Sequence, residues 1–201
     1  MQAYNKVTEE VRRKFTDIED ICSGPMLSSC TYLRACIDEA MRLSPSVGGL
    51  LPREVLAGGL NVDGHYVPEG IVVGTPHYAL HHNAEYYPDP FNYHPERWII
   101  DSRTGVGEKD VELAHSAFCT FSIGPRGCIG KGMAYMELMT VLARTLFMYD
   151  MRQAPGTSLG EGKPELEWGR HRQTEFQLKD TFTSMKNGPM VQFRPHKDEP
   201  N

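Results

Sequence analysis

"FSIGPRGCIGKGMA", residues 121–134, sets four glycines, a proline and an arginine around one cysteine, Cys128. Gly124, Gly127 and Gly130 permit turns and close backbone approach that a Cβ would block. The stretch that follows, "MAYMELMTVLARTLFMYDM", is rich in strong helix formers and reads as a helix. A helix start presents unpaired N–H groups and a partial positive charge, which stabilise a thiol placed before it as the anion. Cysteine in general is a buried, inert hydrophobe. These neighbours instead describe a sulfur at an exposed edge, acting as a nucleophile or a metal ligand.

A nucleophile needs a base, and His115 is the nearest histidine in sequence; its spacing gives no fixed geometry. A phosphate loop needs G-x-x-x-x-G-K-[ST], but Lys131 lies outside that frame and no Ser or Thr follows it. A single thiolate in a rigid loop, with Arg126 two residues before it, fits a haem iron better. Sulfur would ligate iron from below while the guanidinium meets a propionate carboxylate.

Phe121, Gly124, Arg126, Cys128 and Gly130 spell F-x-x-G-x-R-x-C-x-G, and Ala134 extends it. The pattern resembles the cysteine-ligand loop of the cytochrome P-450 family, the haem-thiolate monooxygenases. At average residue frequencies, chance would supply it on the order of once in ten thousand chains of this length. Two further motifs stand in the family's order. Glu39-x-x-Arg42 resembles the family's E-x-x-R helix, although that spacing arises by chance about once per chain. "PERW" then supplies Arg97 before the cysteine loop. On a helical wheel Arg42 falls opposite Leu33, which describes an ion pair on a solvated face. The resemblance implies the reverse, a buried Glu39–Arg42–Arg97 network that locks the core around the haem.

The resemblance also implies that Arg53, in "LLPRE", binds a haem propionate and that Phe121 shields the sulfur. Segments 47–51 and 181–186 fall where family members line the substrate pocket. The implied cofactor is haem b with an axial thiolate from Cys128. The implied reaction inserts one oxygen atom from O₂ into a hydrophobic small molecule, with an NADPH-cytochrome reductase as electron donor. The wording around the motifs resembles filamentous-fungal members acting in secondary metabolism. No catalytic acid, base or nucleophile is assigned within the chain. A different expectation is a catalytically inactive haem-binding or structural remnant, and a third, a cysteine hydrolase, would need a base near Cys128.

Away from the motifs, the chain has 201 residues, enough for one sizeable domain with its own core. Its net charge of −5, with no basic block, argues against nucleic acid or an anionic membrane surface as a partner. Runs such as "IVVG" and "WII" are far shorter than the roughly 20 residues that span a bilayer. The polar start shows neither signal peptide nor anchor, so the chain is expected to be intracellular, whereas full-length relatives are anchored in the endoplasmic reticulum membrane. The five cysteines form no C-x-x-C pair and are expected to be reduced. His77, His81 and His82 lack matching carboxylate spacing and are read as an aqueous surface stretch rather than a metal cluster.

Val7, Val11, Phe15 and Ile18 mark one stripe of an N-terminal helix. Residues 28–43 form a second, capped by Ser28 or Ser29, with Cys36, Ile37, Ala40, Met41 and Leu43 beside Leu33 on an apolar face. "VDGHYVP" reads as a hairpin around Asp63–Gly64, and "HYALHHN" as a short helix. Prolines and aromatics in "YYPDPFNYHPERW" forbid a regular element there. "EFQLKD" and "MVQFRP" are expected strands. The expected fold is mixed, mainly α with small β-sheets: the C-terminal, proximal part of a single cytochrome P-450 domain over residues 1–201. The long central helix that delivers protons to dioxygen in the family has no counterpart in this sequence.

Overall fold

A computed structural model of the chain describes residues 2–166, 170–175 and 177–196. Among the described residues are six helices and three two-stranded antiparallel sheets. Before the helix Thr31–Leu43, here α3, come α1 (Gln2–Lys14) and the single turn α2 (Pro25–Ser28). After it come α4 (His77–His81), α5 (Glu108–Ser116) and the long α6 (Lys131–Met148), and α3 touches α1, α4 and α6. The fold is therefore mixed and mainly helical, with small sheets.

The first core cluster joins three helices. Val7 and Val11 of α1, Leu33 and Ile37 of α3, and Tyr135, Met139, Ala143 and Leu146 of α6 pack together, with Phe15 and Ile21 from the first connection. The α6 residues recur every three or four positions, the spacing of one helix face. A second cluster covers another side of α3, where Ala35 meets Tyr87, Trp98, Ala114 and Ala117. With neighbours on several sides, α3 is buried nearly all round. Asp38, Glu39 and Arg42 lie inside, whereas Ala40, expected on the apolar face, is exposed. The wheel fails here because it assumes a single buried face.

The start of α3 also differs from expectation. Ser28 and Ser29 belong to the preceding turn, and Cys30 occupies the cap position without a side-chain hydrogen bond. The orphan N–H groups of Tyr32 and Leu33 donate instead to the Glu10 carboxylate of α1, at 3.0 and 2.8 Å. An anion at a helix N-terminus satisfies both the donors and the dipole. Two residues further along α1, Arg12 donates to the carbonyls of Leu146 and Tyr149, both at 3.0 Å, closing the C-terminus of α6.

The sheets are small. β1 (Arg53–Glu54) pairs with β4 (Val72–Val73), and β2 (Leu60–Val62) with β3 (His65–Val67). Val62 stands opposite His65, and Asp63 and Gly64 both have positive φ, 49° and 80°, as a two-residue hairpin turn requires. β5 (Tyr149–Gln153) pairs with β6 (Val191–Pro195). The sequence reading gave residues 149–151 to the preceding helix. It also expected a strand at 175–180, where Phe176 lies outside the described residues and an isolated Lys179–Met185 bridge is found. The strand partner of β6 is thus the chain leaving α6. No helix among the described residues is long and apolar enough to cross a membrane.

Candidate functional site

Glu39 and Arg42 project from α3 into the interior, and the side chains of both are fully buried. Arg42 grips the carboxylate with two parallel bonds, Nε to Oε2 and Nη2 to Oε1, each 2.9 Å. Arg97, on the 3₁₀ turn Pro95–Trp98, adds Nε at 3.2 Å from the same group. The structure therefore brings Glu39, Arg42 and Arg97 together, and it buries the pair that the helical wheel assigned to a solvated face.

Two further donors complete the Glu39 carboxylate: the Trp98 indole N–H at 3.0 Å and the His94 backbone N–H at 2.9 Å. The remaining guanidinium donors serve carbonyls. Arg42 reaches those of His81 and Pro90, both 2.7 Å, and Arg97 reaches Pro88 at 3.2 Å. Tyr87 lies beneath both cations, its ring 5.0 Å from the Arg42 guanidinium and 5.9 Å from that of Arg97. A buried charge survives only when paired and hydrogen-bonded, and these groups meet that condition by pulling residues 81–98 onto α3. Sequence reasoning missed His94, Trp98 and Tyr87 as members. The signal available was the Trp that ends "PERW", an aromatic with one donor that burial obliges to find an acceptor.

The histidines are not a surface stretch. His77, His81 and His82 are all buried, each within a shell of aromatic rings or carbonyls. Among the described residues no group of three His, Cys, Asp or Glu side chains could hold a metal ion. Burial comes first, followed by nearby His77 and Arg42, among the influences that push the His81 pKa from 6.5 to about 3, so its ring is neutral. Its Nε2 accepts the Cys119 backbone N–H at 3.1 Å. Cys119 itself is a buried thiol whose pKa is raised by burial.

From Cys119 the chain enters the glycine-rich loop. Ser122 N–H returns to the Cys119 carbonyl at 2.7 Å, and Gly127 N–H to that of Gly124 at 2.9 Å. Ser122 and Gly124 take positive φ, 58° and 71°; at the latter only glycine is free of strain. The Cys128 N–H donates to the Phe121 carbonyl at 2.8 Å, which fixes the cysteine backbone, and α6 begins at Lys131. The Phe121 ring is half-buried against Tyr135 of α6, 5.2 Å between centroids.

Cys128 and Arg126 are both exposed, and so is Arg53 on β1, which donates to the Pro52 carbonyl at 2.9 Å. The exposed thiol agrees with the exposed edge that the sequence describes. Ile123 and Ile129, either side of it in sequence, are exposed too, and two cavities of the described residues are lined by other residues. Among the described residues no base hydrogen-bonds to Cys128, and His115 packs against Trp98, 5.1 Å between rings. The nucleophile reading therefore gains no partner. Segments 47–51 and 181–186 run beside the same connection: Ser184 N–H donates to the Ser46 carbonyl at 2.6 Å and its hydroxyl to that of Pro45 at 2.9 Å. Leu50, Phe182 and Met185 are left exposed.

The residues present fit a haem. A thiol held by its backbone before a helix supplies a soft ligand for iron. A Cβ placed on Gly124 or Gly132 would meet no atom within 4 Å, so nothing crowds the loop from outside. Ile129, next to Cys128 in sequence, is an exposed apolar side chain of the kind a flat apolar macrocycle would cover, and Arg126 is exposed as well.

Comparison with known proteins agrees with this chemistry. The family model described as Cytochrome P450 matches residues 2–168. The chain is similar to cytochrome P450 monooxygenase AKT7 of Alternaria alternata, with 50% identity over 196 residues, 96% of this chain and 38% of the relative. It is 45% identical to cytochrome P450 monooxygenase apf7 of Gibberella fujikuroi, covering 96% of this chain and 36% of the relative. Against cytochrome P450 monooxygenase lcsN of Purpureocillium lilacinum the identity is also 45%, covering 96% and 55%. The chain spans well under two thirds of the length of these relatives.

Proposed function

Because the chain belongs to the cytochrome P450 family, we propose that residues 1–201 form the C-terminal, proximal part of a haem-thiolate monooxygenase domain. Its reaction would insert one oxygen atom from O₂ into a hydrophobic small molecule of fungal secondary metabolism. One observation carries this reading: Cys128 stands exposed on a glycine-rich loop, its N–H tied to the Phe121 carbonyl, ahead of α6.

Each side chain then has a task. Cys128 presents the thiolate, and the tie to Phe121 prevents the loop from sliding. Arg126 and Arg53 would hold the propionates of haem b, and the Phe121 ring would shield the sulfur. Glu39, Arg42 and Arg97 hold the segment 81–98 against α3 and so keep the floor of the site rigid. Exposed Leu50, Phe182 and Met185 supply apolar contacts for the substrate. A thiolate-ligated haem supplies the oxygen chemistry, electron density from sulfur favouring O–O cleavage. Electrons come from an NADPH-dependent reductase at the endoplasmic reticulum membrane.

A second reading is a chain that binds haem without turnover; it uses the same exposed Cys128 loop and differs only in the absence of product. One experiment tests both. The chain is reconstituted with haem, reduced and treated with CO. A red-shifted Soret band of the thiolate type supports the site, and its absence removes it. Product formation with a reductase present then separates monooxygenase from inert haem binder.

A further inference from the structure

Two parts of the molecule described above, the buried charge network and the cysteine loop, are linked through one residue, His81. The His81 carbonyl receives Arg42 Nη1 at 2.7 Å, while the His81 ring receives the Cys119 N–H at 3.1 Å. We propose that His81 is a positioning residue that hangs the Cys128 loop from the Glu39–Arg42 network. This rests on the reading of Cys128 as the haem ligand.

The hydrogen bonds link end to end, with His81 accepting from both sides, by its carbonyl from Arg42 and by its ring from Cys119. Arg42 is fixed by Glu39, His81 by Arg42, and Cys119 by the ring of His81. The Cys119 carbonyl accepts Ser122 N–H at 2.7 Å, and Phe121 between them accepts Cys128 N–H at 2.8 Å. The Thr120 hydroxyl adds a long contact, 3.5 Å, to the Met41 carbonyl of α3. Residues 119 and 120 are thus suspended from α4 and α3, Phe121 is half-buried against Tyr135, and the loop from Ile123 to Cys128 is exposed.

The tautomer of His81 follows from its partners. Nε2 faces a backbone N–H that cannot accept, so Nε2 must carry the lone pair and Nδ1 the hydrogen. Nδ1 is buried and has no hydrogen-bond partner among the described residues. A ring that merely filled space would leave no donor stranded, since an unmade buried bond is costly. The ring pays that cost and keeps the bond to Cys119. Phe118, stacked on His81 with 5.5 Å between centroids, holds the ring in this orientation.

The test uses the full chain with His81→Leu, which removes the acceptor, and His81→Gln, whose Oε1 replaces Nε2. Amide exchange followed by NMR should quicken about tenfold at Cys119 and Cys128 in the Leu variant, a lost hydrogen bond's worth. The Trp98 indole should stay protected. At equal bound haem, the ferrous–CO spectrum of the Leu variant should lose thiolate-type band, and the Gln variant should regain both properties. In the unaltered chain, nitrogen shifts should place the ring proton on Nδ1. Unchanged exchange at Cys128 in His81→Leu, no rescue by Gln, or a proton on Nε2 each overturns the proposal. If the exchange results hold and no preparation shows a thiolate band, the haem assignment fails while the suspension of the loop stands.

Discussion

Trp98 reaches Glu39 across 59 residues of chain, its indole N–H 3.0 Å from Oε2. Neither residue could be left there alone: the carboxylate is buried and the indole is nearly so. Trp98→Phe removes this one donor while keeping most of the ring packing. The expected loss is about 1–3 kcal/mol of stability. Urea unfolding measures it, and a change under about 0.5 kcal/mol would mean that the indole bond adds nothing beyond packing.

The two arginines should differ in weight. Arg42 is fully enclosed, whereas the Arg97 side chain keeps 10% exposure. Removing one partner of a buried pair typically costs about 3–5 kcal/mol, so Arg42→Met should approach that and Arg97→Met should cost less. Combining Glu39→Leu with Arg42→Met should recover part of the loss, because no charge is then stranded. Equal losses for the two arginines in denaturant titrations would refute this ordering.

Acid should weaken the fold through His81. Its pKa is 6.5 when free and about 3 when folded. Between these values the unfolded chain binds a proton that the native ring refuses, so unfolding gains free energy as pH falls. The stabilisation is complete above the unfolded value and declines steadily toward about pH 3. Urea titrations from pH 7 to pH 4 should show that decline, with a shallower slope in His81→Gln. Identical slopes would place the acid sensitivity elsewhere.

Cys128→Ala separates chemistry from folding. The side chain is exposed, and surface substitutions of this kind usually change stability by no more than about 0.5 kcal/mol. The variant should unfold at the same denaturant concentration as the unaltered chain and lose the thiolate-type CO spectrum entirely. Retention of that band would reassign the ligand.

The elements legible in sequence were those with one decisive local cause. The Asp63–Gly64 turn was readable because only residues tolerant of positive φ serve there. The stripe of Val7 and Val11 was readable because α1 buries one face. Arg42 was misplaced by its wheel because α3 is covered from several directions, and no periodicity reports that. Only the order of three motifs pointed the other way. His94 contributes a backbone N–H to Glu39, a role that its side chain does not signal. The buried histidines were misread for a related reason: their partners are carbonyls and rings brought from elsewhere by the fold. The strand at 149–153 hid behind helix-forming residues, since its pairing partner lies some forty residues further on.

Arg12 has a consequence for synthesis. It closes α6 by binding carbonyls 134 and 137 residues downstream, and the apolar stripe of α1 packs on the same helix. On a ribosome adding about 5–20 residues per second, α1 waits on the order of ten seconds for that partner to emerge. Through that interval Val7 and Val11 have Leu33 and Ile37 of α3 as partners, while the side that α6 will cover stays open. A helix made before α6 thus completes its packing only after α6 has been made.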